Sequence, residues 1–175
     1  SRKLYGLKWY EYFEHLLPDE PHEKHLELQA LSFDLSDKNP ALIARYMRPT
    51  ANIIDVLQAI ESSFHNQILI SNTIPTAIPH FTKALGIENY FTVANAFPVN
   101  AHSKDAMNSK EAALDIYLQG KEYDDIIVIG DSMTDLRLAA HAKAKAYLYA
   151  HPGYDFRAEG GDYRINDLRE VLVHL

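Results

Sequence analysis

Residues Asp124–Ala140 read DDIIVIGDSMTDLRLAA. An apolar run, Ile126–Ile129, stops at Gly130-Asp131-Ser132, and a pattern with helical spacing follows. A short buried strand that ends in a tight turn and feeds a helix is the repeating unit of parallel α/β sheets. The same stretch poses a chemical question. Either Ser132 is a nucleophile, or Asp131 and Asp135, one helical turn apart, present carboxylates to a hard cation.

Working outward, the chain from about residue 50 alternates short apolar strands with amphipathic helices. ANIIDVLQAIESSF (51–64) spaces Ile53, Ile54, Leu57, Ile60 and Phe64 as one helical face, and QILIS (67–71) follows as a strand. IPTAIPHFTKALG (74–86) reads as a helix closed by Gly86, YFTVANAF (90–97) as a strand, and SKEAALDIYLQG (109–120) as a helix ending at Gly120. After the opening stretch, AYLYA (146–150) and DYRI (162–165) read as strands. NDLREVLVHL (166–175) reads as a closing helix capped by Asn166 or Asp167. The expected architecture is α/β, a doubly wound parallel (Rossmann-like) sheet flanked by helices, over residues 49–175. Residues 1–48 differ in texture. The aromatic- and leucine-rich LYGLKWYEYFEHLL, the acidic, proline-punctuated PDEPHEKH and the segment to Met47 predict two or three short helices forming a cap or flank.

The chain has 175 residues, 47% of them hydrophobic and 23% charged, which is ordinary for one globular domain with room for a small appendage. A net charge of −7 with scattered basic residues speaks against a nucleic-acid docking surface. There is no cysteine, so disulfides and thiolate sites are excluded. No apolar run is long enough to span a bilayer, and a cytoplasmic location is the default expectation.

In open α/β sheets ligands bind outside the carboxyl ends of the strands, so the residues there carry the functional reading. Ser71 ends QILIS and is followed by Asn72. A hydroxyl with free N–H groups opening a helix would seat a phosphate, although from Ser71 alone a plain helix cap is the favoured reading. Lys110 opens a helix, where the macrodipole disfavours a cation, and that placement suggests a role in neutralising a phosphate and a neighbouring carboxylate, with a solvated surface lysine as the equal alternative from this residue alone. Asp131 and Asp135 are the cation candidates, with helix capping as the competing explanation. His22 and His25 stand three apart and could share a metal from one helical face. With no carboxylate at a fixed spacing, a solvated hinge is the expectation for them.

The serine reading requires a histidine base. Esterases with Gly-Asp-Ser carry that serine near the N-terminus and an Asp-x-x-His pair near the C-terminus. Here His141, His151 and His174 are preceded three places back by Leu138, Leu148 and Val171, so no such pair exists. The order of the remaining features, Ser71 after a strand, Lys110 opening a later helix and Gly130-Asp131-x-x-x-Asp135 after the next strand, resembles the haloacid dehalogenase-like superfamily. ILISNT is similar to its second motif, Lys110 to its third and VIGDSMTD to its fourth. The resemblance covers roughly residues 48–175. It implies a Mg²⁺-dependent phosphatase acting on a small phosphorylated metabolite. Ser71 and the Asn72 backbone would hold phosphate, Lys110 would offset charge, Asp131 would ligate Mg²⁺, and Asp135 would do so directly or through water.

The family's first motif, Asp-x-Asp on a central strand, does not occur in this sequence. In LQALSFDLSDK (28–38) Asp34 could be a nucleophile, but Ser36 would then stand where the acid/base belongs. The preferred expectation is that the nucleophile strand lies on an upstream piece. The alternative is a catalytically inactive binding or regulatory module.

Overall fold

The computed structural model describes residues 9–99 and 108–174. Readings that rest on residues 1–8, including the start of the aromatic segment, lie outside them. Helices α1 (Trp9–Leu16), α2 (His22–Lys38) and α3 (Pro40–Ala44) come first. α4 (Ile53–Ser62), β1 (Leu69–Ser71), α5 (Ile78–Leu85), β2 (Ala96–Pro98), α6 (Lys110–Leu118), β3 (Ile127–Gly130), α7 (Met133–Ala142), β4 (Lys145–Tyr149), β5 (Tyr163–Ile165) and a closing 3₁₀ helix (Leu168–His174) follow. No helix among the described residues is long and apolar enough to cross a membrane.

Every strand pairing is parallel. β1 pairs with β2 in one sheet, while β3, β4 and β5 pair in that order in another. β4 is the centre of the larger sheet and is covered on both faces, as parallel sheets require. Tyr147 and Tyr149 point to the face where Val56 of α4, Ile165, Leu168 and Val171 complete a buried cluster. Leu148, 0% exposed, points the other way; its Cβ and Leu136 of α7 both lie against Gly161. The period-two alternation of AYLYA thus feeds two helical layers. Tyr163 stacks on Tyr147 with centroids 4.5 Å apart. Asn52 ties α4 to the closing helix by donating to Asp167 Oδ1 at 3.1 Å, and Asp167 in turn accepts from the Arg169 amide at 2.9 Å, so Asp167 is the cap.

β1 and β3 each pair on one side only among the described residues. Ile129 of β3 is 39% exposed, unusual for the strand that presents Gly130-Asp131. α6 packs against both β1 and α7 and so connects the two sheets.

The less favoured internal nucleophile candidate does not lie on a strand: Asp34 is in α2, exposed, with its carboxylate 2.6 Å from Lys38 Nζ as a helical i,i+4 pair. Three expectations are corrected. YFTVANAF is a strand only from Ala96. Before it, Asn95 accepts from the Thr92 amide and donates to Gln67 O and Tyr90 O, which locks a turn and leaves Val93 exposed. α5 begins at Ile78 rather than Ile74, with Pro79 in its first turn, where proline is tolerated. α2 has 17 residues and is not short.

Truncation at the sheet centre measures how much β4 contributes. Leu148→Ala should cost about 3 kcal/mol, within the range for fully buried leucines, read as a lowered midpoint in urea unfolding with unchanged slope.

Candidate active site

β3 delivers Gly130 and Asp131 to its carboxyl end, and Ser132 starts α7 from an extended conformation, φ −138° and ψ 165°. Asp135 is the third residue of that helix and reaches back. Its Oδ2 accepts from the amides of Asp131 and Ser132, each at 3.1 Å, and from the Ser132 hydroxyl at 2.6 Å. This is a capping box with aspartate in the glutamate position, and the negative charge also sits at the favourable end of the helix dipole. Gly130 is required for it. A Cβ on Gly130 would stand 2.1 Å from Asp135 Cγ, closer than any two such atoms approach.

The other oxygen, Oδ1, is 2.5 Å from Lys110 Nζ. Both side chains are nearly enclosed, and Asp135 as a residue is 8% exposed. Lys110 is the first residue of α6, after Ser109, whose hydroxyl accepts from the Ala112 amide at 3.1 Å. The unfavourable cation at that helix start is thus offset by a carboxylate from α7. Burial pushes the Asp135 carboxyl up, but the Lys110 charge and the hydrogen bonds from Lys110 and Ser132 outweigh it and hold the group below the usual aspartate value.

Asp131 faces outward and pairs at 2.8 Å with Arg157, which arrives on the loop between β4 and β5. Arg157 was not legible in the sequence, because HPGYDFRAEGG carries no spacing signal and only the β4–β5 pairing brings it back. Among the described residues no histidine bonds the Ser132 hydroxyl, which lies against Asp135 and, at 2.8 Å, Thr134.

The structure therefore brings together Lys110, Asp131, Ser132, Asp135 and Arg157. Ser71 ends β1, on which α6 packs. Asn72 is exposed. Among the described residues no hydrogen bond joins either to the cluster. Their surroundings also differ from expectation, since Asn72–Ala77 form bends and turns and no helix N-terminus follows Ser71 directly. Any anion held there would meet turn amides instead.

A hard cation fits the donor chemistry in one specific way. Mg²⁺ takes one or two carboxylates and completes its shell with water and substrate oxygens. Asp131 is accessible and can supply one carboxylate, whereas the Asp135 carboxylate already accepts from four donors. Asp135 fits a role through water or through Lys110 rather than as a direct ligand.

Removing the Asp135 charge should expose this dependence. Asp135→Asn leaves the Lys110 ammonium enclosed without its partner, at a cost of about 3 kcal/mol near pH 7. A carboxylate whose folded value is depressed stabilises above its unfolded value of about 3.9 and loses that contribution as pH falls through the lower folded value. The difference between wild type and variant in urea unfolding should therefore shrink below about pH 4. Gly130→Ala should be strongly non-additive with Asp135→Asn in the same assay, because both disrupt one contact.

A family model described as haloacid dehalogenase-like hydrolase matches residues 2–143. No curated protein matches the chain in sequence. Among solved structures, the chain is similar to a conserved haloacid dehalogenase-like protein of unknown function from Agrobacterium tumefaciens, with 15% identity, TM-score 0.66, and 93% of this chain and 74% of that one covered. It is similar to a candidate β-phosphoglucomutase from Thermotoga maritima at 14% identity and TM-score 0.66, covering 99% and 82%. It is also similar to a predicted phosphatase from Clostridium acetobutylicum at 16% identity and TM-score 0.67, covering 99% and 81%. At these identities the structural likeness speaks for the fold, and the family match, which spans most of the chain, agrees with it: the chain belongs to the haloacid dehalogenase-like hydrolase family.

Proposed function

We propose that this chain supplies the phosphate-binding and cation-binding side of a Mg²⁺-dependent phosphatase for a small phosphorylated metabolite. The observation that carries the reading is the Lys110–Asp135 pair at 2.5 Å beside Asp131. It puts a fixed ammonium and an accessible carboxylate where strands end, and a dianionic phosphate needs both a positive partner and a bridging cation to approach carboxylates. The likeness to a predicted phosphatase and a candidate β-phosphoglucomutase supports phosphoryl chemistry.

In this reading Ser71 and the Asn72 amide hold phosphate oxygens, and Lys110 offsets their charge. Asp131 ligates Mg²⁺, and Asp135 orients Lys110 and the Asp131–Ser132 amides. When bound, Mg²⁺ would neutralise phosphate charge and orient the phosphoryl group. Arg157 shares Asp131 and must yield part of its hold when a cation binds. The aspartyl nucleophile comes from a strand outside this sequence, fitting between β1 and β3, each of which has one unpaired side among the described residues.

The test is turnover of an aryl phosphate by the protein with whatever segment precedes Ser1 in its gene. Mg²⁺-dependent hydrolysis should fall at least about 100-fold in Asp131→Asn (about 2.7 kcal/mol of barrier), with the fold retained by circular dichroism. Undiminished turnover in the variant would remove Asp131 as the cation ligand. Absence of any Mg²⁺-dependent turnover in the wild type would favour a binding or regulatory module.

A further inference from the structure

Glu14, on α1, and His22 and His25, on the first turn of α2, converge where the two helices pack. One potential ligand atom from each lies within 4.8 Å of the others. His22 Nδ1 is 2.9 Å from Glu14 Oε1. The sequence expectation of a solvated hinge is corrected for His25, which is 4% exposed. A histidine and a glutamate pairing across two helices would account for Glu14 and His22 alone. It does not account for a buried imidazole beside them whose Nδ1 has no hydrogen-bond partner.

The ring of His25 is oriented in a way that suits ligation. Its Nε2 is 2.8 Å from the Leu17 carbonyl, and a carbonyl can only accept, so Nε2 carries the proton. In the neutral ring that leaves a lone pair on Nδ1. A backbone carbonyl on the remote nitrogen is how metal-binding histidines are commonly held, because it fixes the tautomer and makes the ligating nitrogen more basic. The loop between the helices supplies that carbonyl, so the α1–α2 turn and the His25 tautomer are set together.

We propose that Glu14, His22 and His25 form a Zn²⁺ site that clamps α1 to α2. Two imidazoles and one carboxylate match the ligand preference of a borderline-soft cation and leave a fourth tetrahedral position for water; Mg²⁺, which demands oxygen ligands, is disfavoured. The donors must draw in from their present spread to meet bonds of about 2.0–2.2 Å, a rearrangement of the exposed Glu14 and His22 side chains toward the buried His25. The site uses none of the residues assigned to phosphate or Mg²⁺ and stands independently of that function.

Calorimetric titration of the metal-stripped protein with Zn²⁺ alone should give one site per chain, accompanied by a rise in thermal midpoint. The same titration with Mg²⁺ should show nothing at this site, which the ligand variants identify. Glu14→Gln and His22→Ala change exposed residues and should leave the fold intact by circular dichroism while weakening Zn²⁺ at least tenfold and removing the midpoint shift. His65→Ala, a histidine outside the cluster, should change neither. Lack of a stoichiometric Zn²⁺ site in the wild type, or equal Zn²⁺ affinity in His22→Ala and wild type, would overturn the proposal.

Discussion

The carboxylate of Asp135 is the constraint on which the candidate site depends. A charged group this enclosed is costly unless every lone pair is engaged, and here four donors from three residues converge on it. The donors are Lys110, the Asp131 amide, and the Ser132 amide and hydroxyl, all within the candidate site. One buried anion thereby fixes the start of α7, the direction in which Asp131 leaves β3 and the location of the only ammonium that touches the cluster among the described residues. Gly130 is the steric counterpart, since the carboxylate occupies the space a side chain would need.

The same interaction holds the two sheets in relation. α6 reaches β1 through packing and α7 through Lys110, so the ion pair spans elements that share no ladder among the described residues. β4 provides the rigidity behind it. Its side chains are buried alternately against α4 and the closing helix on one face and α7 on the other, so the β3–α7 corner is carried on a packed core. Arg157 joins from the loop that β4 and β5 anchor, and the Asp162 side chain pins that loop by accepting from the Ala146 amide at 2.7 Å.

The N-terminal helices repeat this logic on a smaller scale. His25 is enclosed because α1 folds over the first turn of α2, and its ring is oriented by a carbonyl of the connecting loop. α3 packs on α5, so the segment is built onto the α/β part as well as onto itself.

Local signals were legible wherever one segment contained all of the physics. Alternation in AYLYA, helical spacing in IIDVLQAI, the stop at Gly86 and the Gly-Asp turn after IIVI each depend on neighbours in sequence, and the parallel α/β class followed from their order. A misreading arose where a side chain overrode pattern, Asn95 closing a turn inside an apparent strand. The sequence by itself determined the element order, the strand-end positions of Ser71 and Asp131, the place of Asp135 in the first turn of α7, and the start of α6 at Lys110. Only the tertiary structure decided that Lys110 neutralises Asp135 rather than standing free, that Arg157 sits on Asp131, and that Glu14 meets His22 and His25. These are contacts between charges remote along the chain. They form only when packing brings the elements together, and their strength comes from the burial that the same packing creates.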